Sequence, residues 1–97
     1  MPYIKQERRS LFDIHIKALA GNILFVNNAI HDEELGGNLN YCISKLINLL
    51  CNKESGGTLS YHRINEIVGA LENSKLEFAR QIIAPYEDKK IVENGNI

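Results

Sequence analysis

SYHRINEIVGALENSKLEFARQII, residues 60–83, decides the fold class, because its apolar positions keep helical time over its whole length. Tyr61, Ile64, Val68, Leu71, Lys75, Phe78 and Ile82 follow one another by alternating steps of three and four. That is the spacing of a seam laid against another helix, with Lys75 its one polar interruption. Ser60 precedes the stripe and predicts an N-cap, since a serine oxygen can accept from the free backbone N–H groups of the first turn. At the far end Ala84 precedes Pro85, and a residue before proline is pushed away from the α region, so the spacing predicts a helix over 61–83 that stops or kinks there. Pro85 then opens a short terminal helix, acidic early at Glu87 and Asp88, basic late at Lys89 and Lys90, and closed by Asn94-Gly95.

Upstream, KESGGTLS at 53–60 reads as a glycine-bearing loop. Before it, Leu39, Cys42, Ile43, Leu46, Ile47, Leu49 and Leu50 form the strongest apolar stripe of the chain, with Asn38 as the expected N-cap. HDEELGGN at 31–38 reads as a surface loop from its clustered charge and Gly-Gly pair. A first helix is expected over about residues 5–20, from Leu11, Phe12, Ile14, Ile16 and Leu19. The apolar run at 23–26 fits helix or strand, and continuation of the first helix is the preferred reading, which leaves 23–35 as the segment whose state periodicity does not decide. The expectation is an all-α fold: a single helical domain over 1–97 with three main helices, the second and third forming an antiparallel hairpin, and a short C-terminal helix.

A chain of 97 residues, 44% hydrophobic and 24% charged, is composed like a globular protein. A domain of this size buries only roughly 65% of its unfolded surface. The core is therefore thin, and a homo-oligomer that shares apolar surface between copies is expected. Net charge is −1, so no overall field draws the chain to DNA, RNA or an anionic membrane. Cys42 and Cys51 lie nine positions apart on one expected helix, on opposite faces and about 13 Å apart along its axis, so they do not pair with each other. With no apolar run near the roughly 20 residues a membrane span needs and no signal peptide, reduced thiols in the cytoplasm are the simplest reading.

His15, His31 and His62 fall in separate segments without metal-ligand spacing, so neither a metal nor a cofactor is expected. Phosphate loops, dinucleotide fingerprints and nucleophile elbows have no match. Polar residues that border the apolar seams are more informative. Asn65 and Glu72 are seven apart with Gly69 between them, beside the seam of the long helix. A mid-helix glycine costs roughly 1 kcal/mol against alanine, and close packing on another helix or on a ligand compensates for it. Tyr41 and Tyr86, with Tyr61, are able to stack on a base, although a tyrosine serves equally as a packing residue. Arg63 and Arg80 bracket the long helix, and Arg8 and Arg9 cluster near the N-terminus; each offers a bidentate grip on phosphate or simply a solvated charge.

The segments NLNYCISKLI from Asn38 and SYHRINEIVGALENSKLEFARQIIAPYEDKKIVENGN from Ser60, together with the opening Met-Pro-Tyr-Ile, resemble a family of small proteins of unknown function encoded by phages, prophages and bacteria. That family shares Leu-Asn-Tyr at the second helix and ends in Pro-Tyr-Glu-Asp-x-Lys-Ile-x-Glu-Asn-Gly. The stretch 23–35 departs from its pattern in being longer and richer in asparagine and acid. The resemblance implies a setting in the cytoplasm of a bacterial host and raises counter-defence as a role, where small helical oligomers sequester nucleotide immune signals of systems such as Thoeris or CBASS. The expected function is thus a non-enzymatic protein that binds a cyclic nucleotide or ADP-ribose-type molecule at a subunit interface through Arg8, Arg9, Tyr41, Arg63, Asn65, Gly69, Glu72, Arg80 and Tyr86. The alternative is an adaptor or inhibitor of a host protein, docking through its C-terminal segment or the 23–26 run. An enzyme with a carboxylate site assembled between chains is a third.

Overall fold

A computed structural model describes residues 4–29 and 34–97, and among these every regular element is helical. The order is α1 (Gln6–Ala29), α2 (Leu35–Leu50), a 3₁₀ turn (Lys53–Ser55), α3 (Tyr61–Phe78), a π-helical segment (Ala79–Ile83) and α4 (Ala84–Asn94). The chain divides into two compact units, one reaching to Leu59 and the other Ser60–Ile97.

In the first unit α1 runs on through the 23–26 segment, which confirms continuation of the helix; Ile23 and Val26 turn toward α2 while Leu24 and Phe25 stay exposed. The second helix starts earlier than its stripe suggested. Asn38 is not the cap: its N–H donates to the Glu34 carbonyl at 2.9 Å, so it already lies in the first turn, and Glu34 holds the cap position without a side-chain capping bond. The part of the expected 31–38 loop from Leu35 onward is helix, and residues 31–33 lie outside the described residues. Glycine resists helix only through its entropy, about 1 kcal/mol each, and the extra turn sets Asn38, Tyr41 and Cys42 against α1.

After α2 the chain reverses tightly. Asn52 caps the 3₁₀ turn by accepting from the Glu54 N–H at 2.9 Å, and Ser55 donates its hydroxyl to the Leu49 carbonyl at 2.6 Å. Gly56 takes φ +87, and Gly57 approaches so closely that a Cβ there would fall on the Leu50 carbonyl. Both glycines are required by the backbone path.

The second unit is one helical run. Ser60 caps it as its sequence predicts, accepting from the Arg63 N–H at 3.1 Å. The run does not stop at Pro85, since Ala84 stays helical at φ −62, ψ −47, but the expected short terminal helix is present as α4, with Pro85 in its first turn, and runs to Asn94. A proline inside a helix removes a donor and its ring strikes the carbonyl four residues back. Here the five residues before Ala84 adopt the wider i→i+5 pattern, the Ala84 N–H donating to the Ala79 carbonyl, and that turn accommodates the ring. The α-helix therefore ends at Phe78, not at residue 83. Gly95, at φ +84, stops the run as expected, its N–H donating to the Ile91 carbonyl at 2.8 Å.

No described side chain is buried. Phe12 on α1, Val68 on α3 and Tyr86 on α4 are 51%, 60% and 60% exposed, and the seam residues Ile64, Leu71 and Phe78 are open as well. Among the described residues no helix is long and apolar enough to cross a membrane.

Candidate functional site

The residues marked by sequence fall on separate surfaces of the two units. In the first unit Arg8 and Arg9 stand in the opening turn of α1, both exposed; the Arg9 guanidinium reaches the Ile4 carbonyl only at 3.5 Å, the outer limit of a hydrogen bond. Tyr41 forms one wall of a cleft of about 220 Å³ between α1 and α2, opposite Leu19, Ile23 and Val26, with Asn22, Asn38 and Cys42 at its edges. This is smaller than the roughly 300–1,000 Å³ typical of small-molecule sites, so the cleft admits a ring or an edge of a ligand but not a whole nucleotide.

In the second unit Asn65, Gly69 and Glu72 share one exposed stripe of α3, as their spacing requires, since steps of four and three return to nearly the same side of a helix. No atom beyond the helix itself lies within 4 Å of where a Gly69 Cβ would sit. The Glu72 carboxylate pairs with Lys75 at 3.5 Å, which places that seam lysine beside the stripe. Arg63 is not part of this face: two residues from Asn65, it points roughly 160° away around the axis. It is half-buried, its backbone N–H bound to the Ser60 cap.

Arg80 lies on the π segment and is already engaged. Its Nη2 meets Glu77 Oε2 at 3.0 Å and its Nε meets Oε1 at 3.3 Å, a fork-on-carboxylate geometry; Gln81 adds a third donor to the same carboxylate at 3.2 Å. A phosphate that took the Nε–Nη2 edge of Arg80 would have to displace Glu77.

Tyr86 opens onto a groove of about 580 Å³ along the π segment and α4, lined on its apolar side by Phe78, Ile82, Ile83 and Ile91. The Lys90 ammonium sits 5.6 Å from the Tyr86 ring centre, within cation–π range, and also pairs with Glu93 at 3.1 Å. Sequence reasoning found Tyr86 but missed the groove. Its signal, apolar positions at steps of four on either side of Pro85, was divided by the expected break. Positions four apart creep by about 40° around an α-helix, and the wider π turn offsets that creep, so Phe78 and Ile82 join the face of α4.

The two thiols, Cys42 and Cys51, are free and half-buried. Among the described residues no three His, Cys, Asp or Glu side chains gather as a metal site. The sequence model of a family described as a domain of unknown function (DUF6899) matches residues 1–97. No curated protein and no solved structure matches the chain.

Proposed function

The chain belongs to the DUF6899 family, and from its own chemistry we propose that it is a non-enzymatic, homo-oligomeric protein that captures a small nucleotide-like ligand between subunits. The observation that carries this reading is the uncovered Asn65–Gly69–Glu72 face, where amide and carboxylate flank a glycine over which nothing sits. A planar ligand gains close access to the backbone at such a glycine, while Asn65 and Glu72 accept hydrogen bonds from base or ribose donors. Tyr41, Tyr61 and Tyr86 are exposed enough to stack on a base, and Arg8, Arg9 and Arg63, with Arg80 once it is exchanged from Glu77, supply phosphate contacts. Each of these surfaces is a single wall. A second copy supplies the other, with α2 and α3 lying as an antiparallel hairpin beneath it.

A cyclic nucleotide or an ADP-ribose-type signal fits these groups, and the resemblance to phage-encoded proteins supports a counter-defence role as a sponge in the bacterial cytoplasm. The test is a thermal-shift panel of cyclic di- and trinucleotides and ADP-ribose derivatives. At a ligand concentration 100 times the dissociation constant a true ligand stabilises by about 2.7 kcal/mol, a readily resolved rise in melting temperature. A flat response across the panel contradicts the reading.

A second reading, an adaptor or inhibitor of a host protein, is favoured by Leu24 and Phe25, 56% and 63% exposed and adjacent on α1. Affinity capture with wild-type protein and with Phe25→Asp separates the two: one stoichiometric partner lost in the variant supports the adaptor.

A further inference from the structure

The helical run over residues 61–94 is unbroken at its junctions, because Phe78, Ala79, Ile83 and Ala84 all hold right-handed helical angles. Within its own unit it has no second element to pack on. At about 1.5 Å per residue the run is roughly 50 Å long, whereas α1, the longest other element, spans about 36 Å. The groove beside Phe78, Ile82, Tyr86 and Ile91 is an apolar wall that nothing in its own unit completes.

The pattern of its lining identifies that chain. Phe78 and Gly95 are equally far from the midpoint between Tyr86 and Glu87, and so are Ile82 and Ile91, and Ile83 and Lys90. We propose that the groove docks on the same groove of a second copy, the two helices running antiparallel about that midpoint. This rests on the oligomeric part of the proposed function and specifies the contact that builds it. A two-fold pair makes the same surface meet itself, so each residue faces its mirror position. Phe78 then enters the space over the partner's Gly95, which has no side chain and no atom within 4 Å of its missing Cβ. Ile82 meets the partner's Ile91.

Charge selects the same direction. Glu87 has no partner among the described residues, and the antiparallel register brings the partner's Lys90 opposite Ile83, one turn from Glu87, giving two Glu87–Lys90 pairs per dimer. The two Glu87 carboxylates lie near one another in either direction, but the antiparallel pair holds the two Lys90 ammoniums apart, whereas a parallel pair would set Lys90 against Lys90, a repulsive arrangement.

The test is disulfide trapping in a chain with Cys42 and Cys51 changed to Ser, with native mass measured alongside. Glu87→Cys lies next to the two-fold axis and is expected to crosslink to itself on mild oxidation. Ile82→Cys and Ile91→Cys are each expected to stay uncrosslinked alone and to crosslink when mixed. In the otherwise wild-type chain, Ile82→Asp is expected to weaken self-association roughly 30-fold or more, as loss of a central interface anchor does. Self-crosslinking of Ile82→Cys alone overturns the antiparallel register. An oligomer that does not crosslink through Glu87→Cys overturns the groove contact while leaving the oligomeric binder standing. A wild-type chain that is monomeric, alone or bound to a different protein, overturns both.

Discussion

Arg80 reaches back one turn to Glu77 and grips its carboxylate with two nitrogens, at 3.0 and 3.3 Å. The arginine best placed near the groove is thereby neutralised within its own chain. Glu77→Gln removes the charge that holds it while keeping a similar shape. Because the pair is largely exposed on the arginine side, the cost to stability is expected to stay below about 1 kcal/mol. If Arg80 serves phosphate, the ligand-induced rise in melting temperature grows in Glu77→Gln and falls in Arg80→Ala, a contrast that thermal-shift titration reads directly.

Two glycines should respond in opposite directions to the same substitution. Gly57→Ala drives a methyl group onto the Leu50 carbonyl and is expected to destabilise by about 3 kcal/mol, the upper range of overpacking. Gly69→Ala meets nothing within 4 Å and is expected to stabilise the ligand-free protein by about 1 kcal/mol through helix propensity, while reducing the ligand response. Urea denaturation at fixed protein concentration measures both.

Loss of the Ser60 cap isolates a local contribution. Ser60→Ala deprives the Arg63 N–H of its 3.1 Å acceptor and is expected to cost about 1 kcal/mol, whereas Ser60→Asp retains most of the stability. The same denaturation assay separates them.

The all-helical character, the Ser60 cap and the Gly95 stop were legible because each depends on local chemistry: a three-and-four stripe, an oxygen one position before it, a residue able to take φ +84. Asn38 and Pro85 misled for the same reason in reverse. Both carry strong local preferences, and both were overridden: at Asn38 by an added helical turn that packs against α1, at Pro85 by a five-residue π segment. The candidate site was legible as chemistry but not as place. Spacing put Asn65, Gly69 and Glu72 on one stripe and by the same arithmetic turns Arg63 away from it, yet nothing in the sequence shows that Arg80 grips Glu77 with two nitrogens.

Pro85 itself is open to test. Pro85→Ala restores an N–H and removes the ring that the π turn accommodates, so an ordinary α register is expected to run through residues 79–85. Helicity by circular dichroism should rise, while Phe78 and Ile82 rotate away from the α4 face and self-association weakens.

The central claim is that this chain works as an oligomer holding a small molecule between copies, and native mass spectrometry of the protein as purified from bacteria producing nucleotide immune signals tests it most directly. An oligomer carrying additional mass in the nucleotide range, lost on denaturation, is the expected spectrum. A folded monomer free of added mass would contradict the account.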